Sequence, residues 1–487
     1  MKRVFAIVLL TLFNLLLLQS VKAELRLPAI VSSNMVLQRN TTVELWGWAD
    51  AGEKVSIKAS WLKQSLETKA GPNGKWHFSV KTTDSKEPQT IEIISGTSTI
   101  SLNNILFGEV WLCSGQSNME MPVKGFNGQP VFGSLSAIAN SYNPKLRLFS
   151  LDKNGAKTPL FDVEKYSAWQ EATPASVSEF SAVGYYFGQQ LQEILDVPVG
   201  LINTSYGASK VQSWMSTEAI NRFQQVDLND VDITDKPNHI PTALFNAMIS
   251  PLIPYTIKGV IWYQGESNRM EPENYKKHFP AMVKDWRTRW GIGDFPFYYV
   301  QIAPFIYYGN NDEFESARNS AFIREAQLQC LDSIPNSGIA ITLDIGDAAC
   351  IHPPKKKEVA DRLLFNALHQ TYGFRTVDCA APIVASRELK DGGIVLKFKH
   401  AETGLYSYNE LDGFEIAGED KIFYPAEAKI LNNKQVLVQS GNVPNPVAVR
   451  YAWRNWVVGS LYDANLLPAS SFRTDSWTNA VRAKQSE

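Results

Sequence analysis

The sequence is poor in cysteine, with four in 487 residues: Cys113, Cys330, Cys350 and Cys379. So few cysteines exclude a disulfide framework as the main source of stability, and a chain of this length can bury a large core without one. In an exported protein they could pair in three ways, and the sequence selects none of them. No spacing among the cysteines and the six histidines matches a zinc site, so we expect neither a metal nor another cofactor.

Long runs of basic residues are absent as well. The only basic triplet is 355–357, and the formal net charge is −2. Because nucleic-acid binding relies on clustered lysines and arginines, this composition argues against nucleic acid as a partner. With 44% hydrophobic and 20% charged residues, the chain has the profile of a globular protein.

The N-terminus carries an apolar run, residues 4–18, which follows Lys2 and Arg3 and precedes the small-residue site 21–23. This pattern predicts a signal peptide that is cleaved after Ala23, and therefore an exported protein in the periplasm or outside the cell. The run is shorter than the ~20 residues that a membrane span needs, so we expect no membrane insertion after cleavage.

The remaining chain divides into three regions. Residues 24–105 alternate apolar and polar positions in short segments, which predicts an N-terminal β-sandwich, with the turn 72–74 (PNG) closing a hairpin. Residues 106–372 predict an α/β catalytic unit. Residues 373–487 return to β patterns, and this tail could be a third domain or could complete the N-terminal sandwich.

Within 106–372, apolar strands alternate with amphipathic helices, which predicts a parallel sheet flanked by helices on both faces. The expected strands are 109–113, 199–203, 259–263, 297–302 and 338–343, and the expected helices are 180–194, 274–290, 316–331 and 355–372.

Polar clusters follow three of these strands. They occupy residues 114–121 (SGQSNMEM), 262–268 (WYQGESN) and 344–353 (DIGDAACIHP). Since the carboxyl ends of parallel strands meet in one crevice, a serine, amide donors and a histidine would come together there. Acyl transfer needs this set, because a base must reach the hydroxyl and donors must meet the developing oxyanion.

These residues resemble the SGNH hydrolases and, within them, the sialate O-acetylesterase family. Segment 115–119 is similar to the nucleophile block of that family, 262–268 to its Q-G-E-S block and 351–353 to its I-H-P block. The resemblance extends to segments 34–39, 46–48 and 472–475, and so covers nearly the whole chain after the signal peptide.

The resemblance implies a serine esterase that removes O-acetyl groups from sialic acid or related sugars. Ser117 would be the nucleophile and His352 the general base. The oxyanion would be met by the backbone N–H groups of Ser117 and Gly207 and by the side-chain amide of Gln264. Two further residues would support the site, Asn118 and Glu266, the second by holding Gln264 or its loop.

The acid that orients His352 is less clear, because Ala349 and Cys350 occupy the two positions where related sequences carry an aspartate. Asp347 is the first candidate and Asp344 the second. A dyad completed by a backbone carbonyl is the third.

Other functions remain open. The same catalytic residues would serve an esterase acting on acetylated xylan or another polysaccharide. A glycoside hydrolase could use a carboxylate pair such as Glu266 and Asp344. A carbohydrate-binding protein without turnover could use Trp453 and Trp456 as platforms. The sequence does not indicate an oligomeric state.

Overall fold

A computed structural model describes residues 24–307, 314–316 and 318–483. The predicted signal peptide, residues 1–23, lies outside the described residues. Within these ranges, no helix is both long enough and apolar enough to cross a membrane.

The N-terminal region consists of short strands. They are β1 (Val36–Gln38), β2 (Thr42–Trp48), β3 (Lys54–Ala59), β4 (Leu66–Lys69), β5 (Lys75–Lys81) and β6 (Gln89–Ser95). Buried residues alternate with more exposed ones in β2, β3, β5 and β6. β2 pairs with β5, whereas β3 pairs with β4 and β6. The turn 72–74 therefore joins strands of two different sheets. The expected hairpin is wrong, because Trp76, Phe78 and Val80 of β5 bury their side chains opposite β2.

The 18-residue strand β7 (Ser98–Gly115) links this region to the central sheet. Its first half pairs with β6, and its second half lies between strands of the central sheet. The other central strands are β8 (Asn143–Leu151), β9 (Tyr166–Ala172), β10 (Val199–Ser205), β11 (Gly259–Tyr263), β12 (Phe297–Val300) and β13 (Ser337–Ala340). Their order is β13-β12-β11-β7-β10-β8-β9, parallel throughout except for β9 at the edge.

Helices cover both faces of this sheet. They are α1 (Ser117–Glu120), α2 (Ser134–Ala139), α3 (Pro174–Glu179), α4 (Ala182–Leu195), α5 (Thr217–Ile220), α6 (Pro272–Trp290), α7 (Ala321–Gln329) and α8 (Lys356–Asn366). Single 3-10 turns occupy Val211–Trp214, Pro237–His239, Ser250–Leu252, Glu266–Asn268 and Cys330–Asp332, and π turns occupy Phe245–Ile249 and Ala367–Thr371.

The side chains of β11 show how the two faces are filled. Val260 and Trp262 belong to the core that contains Trp286 of α6, whereas Ile261 and Tyr263 belong to the core that contains Phe187 of α4. All four strand residues are buried. Because side chains alternate along a strand, a continuous apolar run fits a sheet covered on both sides, as the sequence predicts.

Two helices are shorter than expected. α7 begins at Ala321 rather than near residue 316, since the backbone N–H of Ser320 donates to the Asn455 side chain at 2.8 Å. α8 ends at Asn366, and its last predicted turn is the π turn that follows.

The C-terminal region is β-rich, as predicted. Its strands are β14 (Ile383–Lys390), β15 (Gly393–Lys399), β16 (Leu405–Tyr406), β17 (Phe414–Ala417), β18 (Ile422–Pro425), β19 (Glu427–Leu431), β20 (Gln435–Gln439), β21 (Ala448–Tyr451), β22 (Tyr462–Asp463), β23 (Phe472–Arg473) and β24 (Val481–Arg482). These strands pair with one another, so this region does not extend the N-terminal sheets in the described part of the chain.

The C-terminal region packs closely on the α/β unit. The buried guanidinium of Arg324 in α7 donates to the Ser471 hydroxyl at 2.9 Å and to the Arg454 carbonyl at 2.5 Å. Trp453 is fully buried in this contact, which rules it out as an exposed sugar platform.

Candidate active site

Three parallel strands end at the same level and form the floor of the candidate site. Gly115, at the end of β7, is paired with Ser205 of β10 on one side and with Tyr263 of β11 on the other. Its φ is +138°, and a Cβ there would lie 2.2 Å from the Tyr263 carbonyl oxygen. Only glycine fits this position. The chain can then turn directly into α1, whose first residue is Ser117.

Ser117 and His352 meet at this edge although 235 residues separate them. The Ser117 Oγ lies 2.7 Å from His352 Nε2, within hydrogen-bond distance. His352 Nδ1 lies 2.6 Å from Oε1 of Gln129. When Nδ1–H donates to this carbonyl oxygen, the lone pair of Nε2 faces the serine hydroxyl, which is the arrangement a general base needs.

The two aspartates expected to orient His352 have other partners. Asp347 accepts the backbone N–H groups of Ala349 and Cys350 at 2.8 and 3.1 Å, and so shapes the loop before the histidine. Asp344 forms a bidentate ion pair with Arg362. Nδ1 is bound by a side-chain amide, so neither aspartate, nor a backbone carbonyl, makes the expected contact.

Gln129 comes from an irregular loop that the sequence analysis did not single out. Its backbone N–H donates to the Phe126 carbonyl, and the Phe126 ring packs edge-on against His352 with centroids 5.4 Å apart. Gly125 and Gly128 adopt φ of +83° and +71°, which lets the loop turn tightly below the histidine. The closely spaced glycines were the available signal for a tight loop, but they do not indicate which side chain faces inward.

The surroundings keep His352 neutral. Burial, and to a lesser extent the positive charge of Lys356, together lower its pKa to about 4. A glutamine carbonyl fixes the tautomer but carries no negative charge that would favour the imidazolium. The imidazole is therefore neutral, and able to accept a proton, at any pH above this value.

Next to Ser117, Asn118 connects three segments of the chain. Its Nδ2 donates to Oε1 of Glu266 at 2.6 Å and to the Ile351 carbonyl at 3.1 Å, while its Oδ1 accepts from Nζ of Lys356 at 2.5 Å. Asn118, Glu266 and Lys356 are all buried. Burial raises the pKa of Glu266 and lowers that of Lys356 to about 7. The network ties the serine turn to the loop that carries His352.

The amide expected from Gln264 is not directed at the site. Gln264 is fully buried, and its Nε2 donates to the Ser209 carbonyl at 2.9 Å and to Oδ1 of Asn268 at 2.7 Å. Both amide hydrogens are thus used, which contradicts the expected oxyanion contact. Glu266 contacts Asn118 rather than Gln264, so it holds the loop but not that amide.

The backbone N–H of Gly207 lies beside Ser117 but is engaged. It donates to Oε2 of Glu120 at 2.6 Å, and the other oxygen of Glu120 lies 2.7 Å from Nζ of Lys153. A Cβ built on Gly207 would be 3.6 Å from the Ser117 Cβ, so the two residues are neighbours. Glu120 must move before an oxyanion can use it.

A cleft of about 760 Å³ is lined by residues that neighbour Ser117 and His352. Its lining includes Glu120 of α1 and Phe126, whose ring packs against His352. Lys153, Gln170 and Asn203 line the rest, together with other polar side chains. Its size suits a small polar ligand.

The remaining sequence alternatives can be compared with this geometry. Glu266 is buried against Asn118, and Asp344 is paired with Arg362, so these carboxylates do not form an open pair for glycoside hydrolysis.

The four cysteines are free thiols, with Cys113 and Cys330 buried and the other two partly exposed.

A serine within hydrogen-bond distance of a histidine, at the carboxyl edge of a helix-covered parallel sheet, is the arrangement of an α/β serine hydrolase. Residues 107–352, half of the chain, match the family of carbohydrate esterases described as sialic acid-specific acetylesterases. The chain belongs to this family, which confirms the resemblance seen in the sequence and the expectation of a carboxylic ester hydrolase.

Relatives with curated names support the same assignment. The chain is 28% identical to the sialate O-acetylesterase of Homo sapiens over 88% of both chains, and 26% identical to that of Rattus norvegicus over 92% of this chain and 94% of the other. The crystal structure of a carbohydrate acetylesterase from Xanthomonas citri has a TM-score of 0.85 and 33% identity, covering 93% of this chain and 100% of that one.

Proposed function

We propose that the protein hydrolyses O-acetyl esters of sialic acid or related sugars through an acetyl-enzyme intermediate. The observation that carries this proposal is the 2.7 Å contact between Ser117 Oγ and His352 Nε2. Ser117 attacks the acetyl carbonyl while Nε2 takes its proton, and the same proton then passes to the leaving sugar oxygen. Water, activated by His352, releases acetate from Ser117. Gln129 holds the imidazole in the tautomer that these proton transfers require.

The oxyanion needs donors that are free when the substrate is bound. We assign this role to the backbone N–H groups of Ser117 and Gly207, the second after the Glu120 carboxylate has turned away, still paired with Lys153. Losing one such donor typically costs about 3 kcal/mol of transition-state stabilisation. Asn118, Glu266 and Lys356 support the turn but do not touch the reacting atoms.

The direct test is acetate release from O-acetylated sialic acid and from acetylated xylan, measured in parallel with the purified protein. Acetate from either substrate is the expected result, and its absence from both would end the esterase assignment. A preference for xylan would change only the sugar, because the bond cleaved is the same in both.

We further propose an SGNH-hydrolase type of sheet, an N-terminal β-sandwich within 24–105, a catalytic unit at 106–372 and a C-terminal region at 373–487. The two separate N-terminal sheets support the sandwich, although β7 runs across the first boundary.

Export follows from the signal pattern, and sequencing the N-terminus of protein recovered outside the cytoplasm would test it.

The low pKa of His352 predicts activity well into the acid range. His352 accepts a proton only when neutral, so kcat/KM should be constant above its pKa and fall as the pH drops through about 4. The measurement is the pH profile of kcat/KM with 4-nitrophenyl acetate. A decline centred near 6.5, the ordinary histidine value, would contradict the described environment.

Lys356 contributes to this low pKa through its charge. Lys356→Met removes that charge, and the acid decline of kcat/KM should move to higher pH because the imidazolium becomes easier to form. Lys357→Met is the matched control, since Lys357 is exposed and pairs with Asp361 on the same helix. If kcat/KM declined at the same acid pH in both variants, the charge of Lys356 would have no effect on the pKa of His352.

A further inference from the structure

The charges around the cleft point to the class of sugar that it accepts. Its charged lining residues, within the described part of the chain, are Glu120, Asp152, Lys153 and Glu179. Lys153 already faces Glu120 at 2.7 Å, and Glu179 is paired with Lys124 at 2.6 Å outside the cleft. Each of these two cations is thus matched by a carboxylate.

Glu120 occupies the decisive position in this set. It lies in the helical turn that begins at Ser117, and its carboxylate sits on the Gly207 N–H, beside the nucleophile. Its side chain is only 20% exposed, so its charge is poorly screened by water. A carboxylate brought to this end of the cleft would meet a like charge at close range.

We propose that Glu120 selects a neutral O-acetylated sugar and disfavours one that carries a carboxylate. This inference rests on the proposed esterase function and narrows its substrate class. The acetyl group of a neutral sugar approaches Ser117 while the Glu120 carboxylate withdraws towards Lys153. A sialic acid would have to compete with Glu120 for the same ammonium group.

The test compares O-acetylated N-acetylneuraminic acid with its carboxyl methyl ester, which lacks the negative charge. An acetylated xylo-oligosaccharide serves as a natural neutral sugar. Acetate release gives kcat/KM for each. We expect both neutral substrates to be hydrolysed roughly tenfold more efficiently than the free acid at low salt. Added salt should narrow the difference by raising kcat/KM for the acid alone, because it screens repulsion.

The variant Glu120→Gln keeps the shape of the side chain and an oxygen that can accept the Gly207 N–H. The ratio of kcat/KM for the free acid to kcat/KM for its methyl ester should rise by about 3- to 10-fold in this variant. Added salt should change that ratio less than it does in the wild-type protein. Using a ratio removes any change in folding or in the catalytic step that both substrates share. Glu193→Gln, on the exposed side of α4, makes the same charge change away from the cleft and should leave the ratio unchanged.

Equal efficiency for acid and methyl ester, or a preference for the acid, would overturn the inference while leaving the esterase function intact. The inference would also be overturned if the ratio of kcat/KM for acid and methyl ester were the same in Glu120→Gln and Glu193→Gln. If the wild-type protein released acetate from none of these sugars and did not hydrolyse 4-nitrophenyl acetate, the proposed function and this inference would both fall.

Discussion

Ser117→Ala should lower kcat/KM for acetyl esters by at least about 10⁴-fold. The Ser117 hydroxyl is the group within hydrogen-bond distance of His352 Nε2, and no acetyl-enzyme can form without it. Residual hydrolysis would come from substrate binding and the remaining backbone donors. Initial rates with 4-nitrophenyl acetate and acetate release from acetylated sugars measure the loss.

Ser136→Ala is a suitable control, because Ser136 is exposed on α2. It should hydrolyse the same esters at the wild-type rate. A Ser117→Ala protein that kept more than a tenth of wild-type activity would refute the role of Ser117 as nucleophile. The same variant separates esterase from glycosidase chemistry, since a carboxylate-pair glycosidase would tolerate the change.

The central strands could be predicted because their signal is local. β11 spans Gly259–Tyr263 as expected, and β10 and β12 begin at the predicted residues. A strand that is buried on both faces reads as a continuous apolar run, and each run here ends in polar residues at the crevice. The position of Ser117 follows directly, since it is two residues beyond the end of β7.

Strand β8 and the edge strand β9 were not predicted. β9 is largely exposed, with the pattern Tyr166–Ala172 burying only Trp169 and Ala172, and β8 begins with partly exposed residues before its buried segment. Strands at the edge of a sheet are half solvated and carry a weaker apolar signal. β8 pairs with β10 and β9 pairs with β8, and the local sequence does not encode these contacts.

The roles of individual amides could not be predicted for the same reason. Gln264 and Gln129 have the same side chain, yet one is buried with both amide hydrogens engaged, and the oxygen of the other contacts His352 Nδ1. Motif position indicates that a residue lies near a strand end. The direction of its side chain depends on tertiary partners such as Ser209 and Asn268.

Gln129→Leu should lower kcat by about 10²- to 10³-fold with a smaller change in KM. Leucine has a similar size but cannot accept from Nδ1–H, so His352 can rotate or adopt the other tautomer, in which Nε2 carries the proton and cannot serve as the base. Asp347→Asn is the matched control, since its remaining carbonyl oxygen can still accept from Ala349 and Cys350. It should retain activity within about threefold. The reverse order would restore Asp347 as the orienting residue.

Gln129→Glu distinguishes an orienting role from a merely structural one. A carboxylate 2.6 Å from Nδ1 still fixes the tautomer but also favours the imidazolium, so the pKa of His352 should rise from about 4 towards its ordinary range near 6.5. The acid decline of kcat/KM should move to higher pH by the same amount, since the protonated ring cannot accept the serine proton. An unchanged pH profile in an active Gln129→Glu protein would mean that residue 129 does not contact the histidine during turnover. A shifted profile would show that a neutral amide at this position, instead of a carboxylate, extends catalysis towards acid pH. The amide would then stabilise the imidazolium that forms during the reaction less than a carboxylate does.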